Sequence, residues 1–197
     1  MSSSHPLAPR DQHDCFRDAV NTVGQATAIL GRLRRVPADH AAVHAGIAIL
    51  ADRSDDMVRA APADRRHLGR SLHSVLIHLR TTAERANRHR VTSLAEELAE
   101  VIGIVEECGR HTAGLFAAPF DPTWAAWYRA EILRLADDAD DAFRRLFARW
   151  YFDTDDLSAV AGMRDISDEL ENVVRAFEEV ADAVPATVAD QPSELPR

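Results

Sequence analysis

His40 and His44 stand four residues apart, a spacing that puts two imidazoles on one helix face within reach of one metal ion. No Glu-x-x-His segment of the di-iron bundle type accompanies them. An ordinary helix surface is therefore preferred, with iron or zinc held at His40 and His44 as the alternative. Glu107 and His111 share the same spacing near a helix end, where a cation is welcome in any case. The Asp-Asp runs at 137–138, 140–141 and 155–156 suggest hard-cation ligands. They lack the loop glycine and terminal Glu of an EF-hand, so they read as solvated helix faces. His67, His73 and His78 have no ligand spacing. Cys15 and Cys108 lie outside any Cys-x-x-Cys arrangement and read as free thiols of a reducing compartment. No Gly-x-Ser-x-Gly elbow and no glycine-rich phosphate loop is present. The expectation is a protein without catalytic residues and without a cofactor.

The elements that carry these residues are helices. Ala, Leu, Arg, Glu and Asp dominate the 197 residues, while Gly is limited to 8. That composition favours helix over strand, and nothing alternates with a period of two. Prolines and capping residues divide the chain into six segments: about 11–35, 39–61, 64–87, 88–114, 123–151 and 154–184. Residues 1–10 and 186–197 read as disordered tails. The fifth segment shows the pattern best: Ile132, Leu135, Ala139, Ala142, Phe143, Leu146 and Trp150 recur at spacings of three and four. Asp140–Arg144 and Asp141–Arg145 are spaced as ion pairs on its outer faces. Trp124, Trp127 and Tyr128 at one end, and Trp150, Tyr151 and Phe152 at the other, read as core, with a partner-facing apolar patch as the alternative.

All 23 basic residues are Arg, and the net charge is −9. A negative surface argues against nucleic acid as a partner. The first residues have no apolar signal region, and the longest apolar run, 41–51, contains His44 and is too short for a membrane span. A cytoplasmic protein without direct membrane insertion is expected.

The chain also repeats itself. Residues 50–59 read Leu-Ala-Asp-Arg-Ser-Asp-Asp-Met-Val-Arg, and residues 135–144 read Leu-Ala-Asp-Asp-Ala-Asp-Asp-Ala-Phe-Arg. A chance match is the alternative, because Ala, Asp and Arg are common here. Against it, both stretches lie in the second helix of three. Laying the third helix of one half over that of the other brings Arg80 onto Arg175, Glu84 onto Glu179 and Ala86 onto Ala181. Two tandem antiparallel three-helix bundles follow, residues 11–87 and 88–185, packed as one elongated unit.

With these features the chain resembles the PhoU-like family, in particular its Pit accessory branch. Leu135-Ala136-Asp137-Asp138-Ala139-Asp140 is similar to the family's Leu-Glu-x-x-Ala-Asp, followed by Arg144, Leu146-Phe147, Ile166–Glu171 and Val180-Ala181-Asp182. Pro62-Ala63-Asp64-Arg65 resembles the turn into the family's third helix. The resemblance implies a regulator or accessory of inorganic phosphate transport, docking on a membrane phosphate transporter, as a homo-oligomer. It also implies iron or zinc clusters on Glu/Asp-x-x-x-Asp motifs. Here those motif positions hold Ala51 and Asp55, Leu76 and Arg80, Ala136 and Asp140, and Glu171 and Arg175. One carboxylate remains per second helix, with an Arg where a facing Asp is expected. The expectation is that no metal binds and that ion pairs replace it, Asp55 with Arg80 and Asp140 with Arg175. Solvated surface charges are the alternative for these four.

Overall fold

The computed structural model describes the backbone of residues 9–60, 66–115, 122–152 and 157–189, and the side chains of 17–54, 66–115, 123–151 and 160–184. Six long helices account for nearly all of it. They are α1 (Pro9–Leu30), continued by the single turn α2 (Arg32–Arg35), then α3 (His40–Ala60), α4 (Arg66–Arg88), α5 (Glu96–Gly114), α6 (Pro122–Phe152) and α7 (Leu157–Ala189). A 3-10 turn, Pro37–Asp39, links α2 to α3. No strand occurs among the described residues, so the expected all-α class holds.

Helix ends differ from the expected ones where local chemistry intervenes. The first segment is interrupted at Gly31, where the ladder tightens: Gly31 N–H bonds the Thr27 carbonyl, and Arg34 N–H bonds Gly31 three residues back. The carboxylate of Glu106 occupies the space a Cβ on Gly31 would need. The fourth segment begins at Glu96 rather than 88, because α4 closes with a Schellman motif. Arg90 takes a left-handed φ of 49°. Val91 N–H then bonds the Ala86 carbonyl and Arg90 N–H that of Asn87. Val91 and Ala86 are both buried, supplying the apolar contact that accompanies this cap. At the far end α7 runs past Pro185 to Ala189, so the expected boundary at 185 falls inside a helix. A proline removes one ladder bond, and within a turn or so of the end that does not stop the helix. The remainder of the two expected tails, 1–8 and 190–197, lies outside the described residues.

The helices pack in a pattern that can be laid out by the two expected halves. Within the first half, α1, α3 and α4 touch one another; within the second, α5, α6 and α7 do. Across the halves like packs on like: α4 lies along α7 in the most extensive contact of the molecule, and α1 lies along α5. The second helices, α3 and α6, stay on the outside. The two halves thus share one core, to which every long helix contributes: Val23 and Leu30, Ile47, Leu72 and Leu79, Val101, Ile132 and Leu146, Leu170 and Phe177. Each such side chain contributes about 1.5–3 kcal/mol relative to exposure.

The α1–α5 seam depends on small residues. A Cβ on Gly109 would fall 1.9 Å from Thr27 Oγ1, and one on Gly24 would fall 2.8 Å from the Ala113 Cβ. These glycines let the two backbones approach closely. The periodic stripe of the fifth segment is buried as expected on α6, with Trp150 packed at its edge. Of the aromatic clusters, Tyr128 is fully buried, but Trp127 is 46% and Tyr151 81% exposed. The core reading is corrected for those two; Phe152's side chain is outside the described residues.

Candidate functional site

The second helices carry the repeat in matching surroundings. Leu50 and Ala51 on α3 and Leu135 and Ala136 on α6 all face the core. Leu76, on α4, is also buried. Ala51, Leu76 and Ala136 offer no donor atom, so these positions do not fit the clusters that the family resemblance implies.

The substituting ion pairs resolve differently in the two halves. Arg80 Nη1 donates to Asp52 Oδ1 at 3.0 Å, three residues before the expected partner. The side chain of Asp55 lies outside the described residues. In the second half, Arg175 Nη1 donates to Asn172 Oδ1 at 3.0 Å instead of forming a bonded pair with Asp140. Asn172 is one helical turn back on the same face, which makes it the nearer acceptor. Arg175 nonetheless sits among acids. The carboxyls of Glu171 and Glu178 are both pushed above the usual range by burial, Glu171 also by Asp168 and Glu178 by Asp140, while Arg175 partly offsets each. One cation thus serves several carboxylates as a diffuse countercharge.

On α6 the expected Asp140–Arg144 and Asp141–Arg145 pairs are replaced. Arg144 bonds Asp141 at 2.5 Å, and Arg145 reaches across to Glu100 of α5, also at 2.5 Å. His40 Nδ1 lies 2.9 Å from Asn87 Oδ1, joining α3 to the end of α4. Neither His40 nor His44 belongs to a metal-competent cluster among the described residues.

One constellation of ligand type does occur among the described residues, and it lies elsewhere. Glu107 and His111, one turn apart on α5, meet Glu131 of α6, with one potential ligand atom from each all within 4.8 Å. His111 Nε2 is 3.6 Å from Glu107 Oε1 and 3.9 Å from Glu131 Oε1. Both distances exceed a hydrogen bond, and this nitrogen, shielded from solvent, has no hydrogen-bond partner. Trp127 packs edge-on against the imidazole with ring centroids 5.2 Å apart. Arg134 clasps Glu131 through two bonds of 3.0 and 2.6 Å and also holds Asp138 at 2.6 Å. Those bonds keep the Glu131 carboxyl below the usual range, hence ionised near neutrality. Arg110 similarly holds Glu107 at 2.7 Å. The Glu107–His111 spacing was visible in the sequence; Glu131 was not, since it arrives from another helix.

Cys108, next to Glu107, turns inward. Burial, with the neighbouring Glu107 charge, pushes its thiol far above the ordinary value, so it stays neutral and inert. Tyr128 and Thr112 share a buried hydrogen bond of 2.9 Å beneath the cluster. An open groove of about 690 Å³ runs along the α1–α5 seam, with Arg34, Glu106, Glu107 and Arg110 among the residues that line it.

A second polar centre lies in the seam between the halves. Glu169 of α7 is buried, with its two carboxylate oxygens 2.6 Å from His78 Nδ1 and 3.0 Å from Arg85 Nη2 of α4. Arg85 also donates to the Asp165 carbonyl at 2.6 Å, and His89 Nε2 lies 3.0 Å from the Asp165 carboxylate. These contacts align α4 and α7 antiparallel.

No helix among the described residues is long and apolar enough to cross a membrane. The chain matches no protein-family model and no curated protein.

Proposed function

We propose that this chain is a non-enzymatic, PhoU-like regulator or accessory protein of inorganic phosphate transport. It acts from the cytoplasm by binding a membrane phosphate transporter, as a homo-oligomer. The observation that carries this reading is the paired-half architecture: two three-helix units with corresponding helices packed on one another, and the Leu-Ala-Asp repeat at matching places on both outer helices. The motif likeness at Leu135–Asp140 rests on the same element. A fold hosts many functions, so the reading is decided in the cell. Deleting the gene is expected to change uptake of radiolabelled phosphate, and the tagged protein is expected to co-purify with a phosphate permease from membranes. Unchanged uptake together with no co-purified permease would overturn the proposal.

A further inference from the structure

We propose that Glu107, His111 and Glu131 bind one divalent transition-metal ion of the zinc class between α5 and α6. The site uses none of the motif positions of the two second helices, and it stands independently of the phosphate reading. His111 supplies the reason to expect a ligand. An imidazole nitrogen shut away from solvent normally has a hydrogen-bond partner, yet Nε2 has none and points between two carboxylates. Around a tetrahedral ion with bonds of about 2.0–2.1 Å, neighbouring donors lie about 3.3 Å apart. The present separations from Nε2 are 3.6 and 3.9 Å, and all three donors lie within 4.8 Å of one another, so the set must draw in by about an ångström to close around the ion.

One imidazole and two carboxylates suit zinc better than calcium or magnesium, which prefer all-oxygen shells. Three protein donors leave a fourth corner for solvent. Two arginines now compete for the carboxylates. Arg110 and Arg134 are each more than half exposed, and pairs of that kind are weakly held in water. Arg134 keeps Asp138 when it releases Glu131. Trp127 closes one side of the imidazole and places a fluorophore beside the metal position.

The test is calorimetric titration of the full chain with Zn²⁺, alongside Co²⁺ titration followed by visible absorption and tryptophan emission. One equivalent of Zn²⁺ is expected, with a Co²⁺ spectrum of tetrahedral type and quenched emission that Trp127→Phe largely removes. His111→Ala and Glu131→Gln should each weaken Zn²⁺ binding by more than about a hundredfold, beyond the effect of losing an outer-shell partner. Arg134→Ala should tighten it by freeing Glu131. His40→Ala and His44→Ala should leave it unchanged. Should His111→Ala fail to fold, Glu131→Gln, which alters a partly exposed side chain, decides. Absence of Zn²⁺ uptake by the wild type, or uptake that survives Glu131→Gln undiminished, overturns the assignment.

Discussion

Arg90 is the one described non-glycine residue at positive φ, a conformation that crowds its Cβ against the backbone. Its side chain is exposed, and the cap hydrogen bonds and the buried Ala86 and Val91 that hold this conformation use no atom of that side chain. Arg90→Gly is expected to stabilise the fold by about 0.5–1 kcal/mol, read as a rise in denaturation midpoint with unchanged m-value. Glu171 and Glu178 are a second residue-scale case. Their carboxyls titrate above the usual range in the folded chain, chiefly through burial. The unfolded chain therefore releases those protons first. Their contribution to stability is fully present below the ordinary Glu range and is lost as pH rises through the folded values. Glu171→Gln or Glu178→Gln should raise Tm at pH 7 by about 1–2 °C, a gain that shrinks toward pH 4.

At the scale of elements, the α1–α5 seam tolerates no added volume. Gly109→Ala is expected to destabilise by about 1–3 kcal/mol, because its new methyl overlaps Thr27 from Oγ1 to Cγ2. Adding Thr27→Ala should recover part of that loss, giving a favourable coupling in a double-mutant cycle of thermal or urea unfolding. Much of the helical order was legible from the sequence: the stripe from Ile132 to Leu146 was read from spacing alone and is buried, with Trp150 partly buried at its end. Helix ends were less so. A cap placing Arg in the left-handed region carries no glycine signal, so the loop before Glu96 was missed, and Pro185 was given more stopping power than it has near a helix end. Ion pairs failed for a related reason. Arg145 reaches Glu100 on another helix, and spacing within one helix says nothing about an acceptor on the next. Glu131 escaped notice by the same limit.

The whole molecule is held by what joins its halves. Glu169 is the acid that both His78 and Arg85 address from across the seam. Glu169→Ala should cost about 1–3 kcal/mol, less than a fully buried pair because both partners are partly wetted, and should speed amide exchange in α4 and α7 together. The internal repeat marks which helices correspond in the two halves but not that they meet here, nor the charges between them. With Arg80 laid on Arg175, Glu169 falls on Ser74, Asp165 on Arg70, His78 on Val173 and Arg85 on Val180. Two first halves brought together through α4 would therefore set Arg85 against Ser74 and Arg70, cation facing cation. Two second halves meeting through α7 would bury Glu169 among valines. Each half is thus a poor mate for its own copy and a good one for the other, so the two halves correspond in shape while their charges make the union exclusive.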